Sequence, residues 1–342
     1  FPTHVVTQHP GTEIGIRIDT VLDALREEFA ASTIAHATGT GVDDGATEGI
    51  DEAVDAARGA EVAIVVLGDR AGLFGRGTSG EGCDAEDLSL PGAQQQLLDA
   101  VLDTGTPTVL VLLAGRPYAL GSAVERAAAI VQAFFPGEEG ASAIAGVLSG
   151  RVEPSGRLPV SIPSQAGAQP STYLAAPLAR ATQVSNIDPT AAFPFGHGLG
   201  YAAAAWSELE CSASSVGTDG EVVVSLRLDN ADDRDAVEVV QLYVHDPVAS
   251  VVRPVQRLIG YRRVVVPAGE ALRVSFAVPL DLAAFTARDG SRIVEPGELV
   301  LGFGRSSGDI PLSASVTVTG SPRTVGEERA LHASVEVQPV WS

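Results

Sequence analysis

The sequence predicts an α/β domain on a doubly wound, mostly parallel sheet (an α/β sandwich), followed by an all-β sandwich of the immunoglobulin-like or fibronectin type III-like kind. Two observations carry this. In the first half, continuous apolar runs alternate with segments of helical spacing, the pattern of parallel strands covered on both faces by helices. In the second half, helical spacing disappears and short alternating runs recur between turn signals, as in a sandwich. A length of 342 residues suits two domains, each able to bury a core.

Taken in order, the elements of the first half begin with Thr20. It is placed to cap a helix whose apolar positions Val21, Leu22, Leu25 and Phe29 recur at helical spacing, with Asp23 in the first turn. Asp51–Ala60 reads as a second helix, Val62–Leu67 as a buried strand, and Gln94–Leu102 as the helix beyond a long loop. Val109–Leu113 is the next fully buried strand, Ala129–Val131 another, and Ser142–Leu148 a further helix. A sheet of this kind is expected to open with a strand, whereas Phe1-Pro2-Thr3-His4 is loop-like. The chain is therefore expected to begin inside its first domain, with the first strand missing.

Residues 164–205 are rich in Ala, Pro, Ser and Gln and carry little periodicity, which marks an irregular linker. The expected division is an α/β domain over 1–163, the linker over 164–205, and the sandwich with a C-terminal tail over 206–342. Strands of the sandwich are expected at Val222–Leu228, Val237–Val244, Arg263–Val266, Leu272–Val278, Glu298–Phe303 and Ser313–Val318.

The net charge is −21 and every basic residue is Arg, a balance that disfavours nucleic acid and anionic membranes as partners. No apolar run approaches the roughly 20 residues of a membrane span. Two cysteines, one in each half, make no disulfide framework. His4, His9 and His36 lack the spacing of metal ligands, so no metal is assigned. Localisation and oligomeric state stay open.

The most informative stretch is Gly75-Arg76-Gly77-Thr78-Ser79-Gly80-Glu81-Gly82-Cys83-Asp84. It follows the Val62–Leu67 strand, and open α/β sheets place their ligands at such strand ends. Flanking glycines leave Glu81 uncrowded. Gly75, Gly77 and Gly80 also match a dinucleotide fingerprint, but that motif needs an immediate helix N-terminus. Here helical spacing resumes only after Pro91, and Glu81, Asp84, Glu86 and Asp87 would repel phosphates. Nucleotide binding is set aside. Phe74 and Arg76 are candidates for an aromatic and bidentate lip around a ligand; a packing Phe and a surface Arg are the plainer alternatives. Asp84, Glu86 and Asp87 read as solvated residues or as first-turn charges of the next helix. Cys83 is expected to pack against the loop, His197 to hold a glycine-rich corner beside Phe195, and Tyr201 and Trp206 to anchor the linker onto the sandwich.

Several motifs in order resemble glycoside hydrolase family 3, the β-glucosidases and β-xylosidases. They are Ser79-Gly80-Glu81-Gly82, Leu88-Ser89-Leu90-Pro91-Gly92-Ala93-Gln94, Glu153-Pro154-Ser155-Gly156-Arg157-Leu158-Pro159 and Phe193-Pro194-Phe195-Gly196-His197-Gly198-Leu199-Gly200-Tyr201. Val240-Gln241-Leu242-Tyr243-Val244, Arg253-Pro254 and Val294-Glu295-Pro296-Gly297 look like the family's fibronectin-like domain. The resemblance is to the C-terminal two-thirds of those enzymes. It implies a barrel bearing an Asp nucleophile, absent from this sequence, then an α/β sandwich domain lending a general acid/base, then the fibronectin-like domain. By motif position the acid/base is Glu81. The implied reaction is retaining hydrolysis of terminal β-D-glucosyl or β-D-xylosyl residues of oligosaccharides, with water as second substrate and no cofactor. The chain alone is then expected to be inactive. The alternative is a non-catalytic carbohydrate-binding or scaffold fragment.

Overall fold

The structure is a computed structural model that describes residues 18–168 and 172–340. Phe1–His4, His9 and any strand opening the first domain lie outside the described residues. The chain divides into two compact units: Phe1–Val152 with Ile162–Pro170 and Ala181–Ala192, and Glu153–Ser161 with Ser171–Arg180 and Phe193–Ser342.

In the first unit, α1 (Val21–Glu28) starts at a full capping box. Thr20 Oγ1 accepts from the Asp23 N–H at 3.1 Å and Asp23 Oδ2 accepts from the Thr20 N–H at 3.2 Å, so orphan donors of the first turn are satisfied locally. Helix α2 (Ile50–Arg58) carries Asp51 and Glu52 in its first turn and Arg58 in its last, charges that complement the helix dipole. Strand β1 (Ala63–Gly68) leads into two short strands, β2 (Ala71–Leu73) and β3 (Ser79–Glu81), and then α3 (Gln94–Leu102). Strand β4 (Thr108–Leu113), α4 (Ala123–Arg126), β5 (Ala129–Gln132) and α5 (Gly140–Ser149) complete the set.

The sheet is parallel in the order β1-β4-β5. Its centre is β4, where Leu110 and Val111 are fully buried. Strand β1 departs from the expected buried run. Ala63, Val65 and Leu67 are buried, whereas Ile64 and Val66 are 37% and 42% exposed. The difference is one of layers: β1 lies at the sheet edge, and among the described residues only one of its faces is covered.

The second unit contains two antiparallel-rich sheets. The strands of these two sheets are β6 (Ala205–Cys211), β7 (Ser215–Gly217), β8 (Glu221–Asp229), β9 (Ala236–His245), β10 (Arg257–Val266), β11 (Ala271–Pro279), β12 (Gly297–Gly304), β13 (Leu312–Thr319) and β14 (Ser334–Pro339), beside a small third sheet of Phe285–Thr286, Arg292–Val294 and Arg323–Thr324. One sheet runs β14-β11-β8-β6 and the other β10-β9-β12-β13-β7. Strand β11 alternates half-buried and buried residues along its length, the period of two that one core face imposes. Val224, Leu226, Val274, Phe276 and Phe303 are fully buried there, and the two phenylalanine rings tilt against each other at 5.5 Å. Strands β6, β7 and β14 were not legible as strands, being short or half polar. Trp206 lies in β6 under the Arg305 guanidinium at 4.9 Å, and Arg234 sits over the Tyr201 ring at 5.5 Å.

His197 belongs to this unit. Its carbonyl accepts from the Leu158 N–H at 2.9 Å, and its ring stacks on Phe193 at 5.2 Å. Phe195, its expected neighbour, stacks instead on Tyr173 at 4.2 Å. Burial first, and the Arg157 charge second, hold the His197 imidazole below its ordinary value of 6.5. The unfolded chain therefore takes up this proton before the folded one does. The associated stability is complete above about pH 6.5 and is lost as the pH falls towards the folded value. A His197→Gln variant is expected to show a flatter dependence of Tm on pH between about 5 and 7. Parallel curves for the two proteins would contradict this.

Candidate active site

The site grows from the C-terminal end of β1. Gln94, the first residue of α3, is buried and clamps that end. Its Oε1 accepts from the Gly68 N–H at 2.7 Å, and its Nε2 donates to the Gly68 and Val42 carbonyls at 2.8 and 2.7 Å. An amide side chain suits this task because it offers an acceptor to the N–H and a donor to the C=O of one residue.

The next residue, Asp69, gathers the following loop. Its Oδ1 accepts from the Thr78 hydroxyl at 2.7 Å and the Tyr118 hydroxyl at 2.5 Å, and its Oδ2 accepts from the Gly115 N–H at 2.8 Å. Gly115 and Tyr118 lie just beyond β4, so one carboxylate ties together the ends of two adjacent parallel strands. Burial, then the hydrogen bond to Asp69, push the Tyr118 hydroxyl up to about 12. It remains a donor throughout the physiological range. Arg116 acts on the same loop, with its two terminal nitrogens donating to the carbonyls of Thr78 and Cys83. Those carbonyls bracket Ser79–Gly82. Arg70 pairs with Asp43 on the outer side.

Within this frame the segment expected as a loop is a narrow ribbon. Strands β2 and β3 pair in parallel, with Ala71 opposite Ser79 and Leu73 opposite Glu81. The approach is too close for side chains at its centre: a Cβ on Gly80, whose φ is +132°, would lie 1.9 Å from the Gly72 carbonyl oxygen. The glycines that mimic a nucleotide fingerprint thus serve backbone-to-backbone packing.

Glu81 ends the ribbon and is exposed. Among the described residues its carboxylate has no hydrogen-bonding or ion-pair partner. Its carbonyl receives the Gly75 N–H at 3.5 Å and the Cys83 Sγ at 3.7 Å, and buried Cys83 packs under the loop as expected. Phe74 follows the residue opposite Glu81, and a Cβ on Gly82 would lie 3.6 Å from the Phe74 Cα. Phe74 is 78% exposed and holds a left-handed φ of +55°. Such a conformation costs an aromatic residue about 1 kcal/mol or more and concentrates at functional sites. Arg76 is exposed on the same turn, its N–H donating to the Leu73 carbonyl at 3.3 Å. Asp84, Glu86 and Asp87 are exposed, and Asp87 accepts from the Ser89 N–H at 2.8 Å. Helix α3 starts at Gln94 with no acidic residue in its first turn, which leaves these three as solvated loop residues.

The ribbon thus brings Phe74, Arg76 and Glu81 onto one exposed edge. A carboxyl presented in this way, on backbone held from both sides, is able to give a proton to a docked ligand and take one back. Asp69, Arg116 and Tyr118 were missed in the sequence. The available signal was position, since each closely follows the C-terminal end of an apolar parallel strand. Gln94 was read as a motif residue and as the start of a helix, not as a clamp on the strand end.

Residues 5–201 match the glycosyl hydrolase family 3 C-terminal domain, more than half of the chain, and residues 238–307 match the fibronectin type III-like domain. A β-xylosidase of Formosa agariphila is 34% identical over 291 residues, covering 84% of this chain and 40% of the relative. A solved β-glucosidase involved in saponin metabolism, from intestinal bacteria, superposes with a TM-score of 0.80 at 29% identity, over 91% of this chain and 46% of that one. A β-glucosidase from Listeria innocua, solved in complex with glucose, superposes with a TM-score of 0.73 at 28% identity, over 82% of this chain and 40% of that one. The chain spans less than half the length of each.

Proposed function

This chain belongs to glycoside hydrolase family 3, and from that membership we propose that it is the part of a retaining β-glycosidase that supplies the general acid/base, Glu81. The substrates are oligosaccharides ending in β-D-glucosyl or β-D-xylosyl residues. The observation that carries this reading is the single carboxyl of Glu81, exposed and unpartnered among the described residues, on a ribbon locked through Asp69 and Arg116. Phe74 and Arg76 share that edge and are proposed to bind the sugar.

Retaining cleavage uses two carboxyl groups about 5–5.5 Å apart. The nucleophilic one attacks the anomeric carbon while protonated Glu81 gives its proton to the departing glycosidic oxygen. Glu81, now a carboxylate, then takes a proton from the water that releases the sugar from the covalent intermediate. To hold its proton before the first step, Glu81 needs burial or a nearby like charge. Docking against a second segment that bears the nucleophile supplies both.

The test is hydrolysis of aryl β-glucoside and β-xyloside by this chain alone and by the chain joined to the segment encoded upstream of Phe1. Activity is expected only in the joined form. Turnover by the chain alone would place a nucleophile within these residues and overturn the split site. Inactivity of both forms would favour a carbohydrate-binding or scaffold module.

A further inference from the structure

A second chemical feature lies in the sandwich unit and is independent of Glu81. A cavity of about 300 Å³ falls at the lower end of the range occupied by small-molecule sites. It is lined by Arg253, Arg257 and Arg292 together with Asp246, Phe285 and Thr286. In a chain whose net charge is −21, this is a local concentration of cations.

Each arginine is fixed in place by the turn Leu280–Ala283 and the residue after it. Arg257 donates to the Leu282 carbonyl, Arg253 to the Ala283 carbonyl at 3.2 Å, and Arg292 to the Ala284 carbonyl at 3.0 Å. Arg253 also lies 4.4 Å above the Phe285 ring and pairs with Asp246 at 2.7 Å. That pair uses the one carboxylate of the lining. Glu295, nearby, accepts from the Ser250 N–H at 3.0 Å. Among the described residues neither Arg257 nor Arg292 has a carboxylate partner, and Arg292 Nε is buried with no hydrogen-bond partner.

Clipping a carbonyl uses part of a guanidinium; each has five N–H donors in a planar fork. A buried donor left without a partner is unfavourable, and like charges held together repel. Burial first, and the charges of Arg253 and Arg292 next, lower the Arg257 value. Structural clipping of the turn accounts for the carbonyl bonds. It does not account for two unpaired cations and an orphan donor beside an open cavity.

We propose that this cavity binds a small oxyanion, carried as a phosphate group or as the carboxylate of an acidic sugar. Two oxygens of either group match the fork of one guanidinium, and the second unpaired arginine supplies the remaining charge. The flanking Phe285 gives the site a rigid wall.

The experiment is calorimetric titration of the full 342-residue chain with inorganic phosphate, with glucuronate, and with glucose as the neutral control. Thr286 is exposed and sits directly opposite Arg292 in the ladder of Phe285–Thr286 with Arg292–Val294. Thr286→Glu therefore sets a carboxylate against Arg292 without removing any clip. Binding of at least one anion and not of glucose is expected, weakened at least tenfold by Thr286→Glu with its Tm unchanged, and weakened likewise by Arg292→Gln. The tighter anion identifies the source, phosphate or acidic sugar. Absence of binding by both anions, or binding that Thr286→Glu leaves unaltered, would overturn the site. Should Arg292→Gln fail to fold, the Thr286 variant decides alone.

Discussion

Glu81→Gln, introduced into the joined form carrying the upstream segment, is expected to slow hydrolysis of alkyl β-glucosides by about 10²–10⁴-fold, the usual worth of a positioned acid. An alkoxide is a poor leaving group and needs the proton as the glycosidic bond breaks. A nitrophenolate needs almost none, so its release in the first step is expected to continue at close to the wild-type rate. Turnover of the nitrophenyl substrate still falls, because the second step uses the same residue as a base towards water. The signature is therefore a burst of nitrophenol followed by a slow steady state. Azide, which attacks the covalent intermediate without giving up a proton, should restore turnover. An equal loss on alkyl and nitrophenyl substrates, with no burst, would sink the acid role of Glu81.

Asp69→Ala is expected to release the ribbon that carries Glu81 while leaving the sheet intact. Three donors lose their common acceptor: the hydroxyls of Thr78 and Tyr118 and the N–H of Gly115. Tyr118 is buried, so its hydroxyl is left largely without solvent to replace the bond. The local cost is about 3 kcal/mol, the sum expected of hydrogen bonds to a charged acceptor after partial rehydration. Hydrogen exchange reads it directly. Amides of residues 70–83 should exchange about a hundredfold faster, as that energy implies, while those of Val111 and Leu112 at the centre of the sheet stay protected. The Tyr118 hydroxyl should also titrate below about 12, since one of the causes of its elevation is removed while burial remains. Unchanged exchange over the ribbon would show that Arg116 and the β2–β3 pairing suffice. In the joined enzyme, the same variant is expected to lower kcat and raise KM together, because Glu81 and the proposed sugar-binding residues Phe74 and Arg76 lie on the one released ribbon.

The longer helices were legible because their signals are local, whereas the four-residue α4 was not. Thr20 and Asp23 answer each other across one turn, and Gln94–Leu102 starts and stops where its spacing does. The main strands of both units were equally plain, since an apolar run or a strict alternation is written in consecutive residues. What was illegible had partners far away in the chain. The β2–β3 ribbon has only three residues a side, too few to show a period, and its pairing depends on glycines that read equally well as a loop. Asp69 looked like one acid among many. Its meaning lies in Gly115 and Tyr118, 46 and 49 residues away.

The sequence by itself determined the two fold classes, their order, and the presence of one carboxylate in a glycine-rich stretch at a strand end. Those properties follow from spacing and from backbone freedom, both of which act between neighbours. Only the tertiary structure decided that Phe74, Arg76 and Glu81 share an edge and that Asp69, Gln94, Arg116 and Tyr118 hold it. It alone set three arginines around one cavity of the sandwich. The physical reason is that hydrogen bonds and charges act over a few ångströms of space, and it is the pairing of strands remote in sequence that brings such groups within reach.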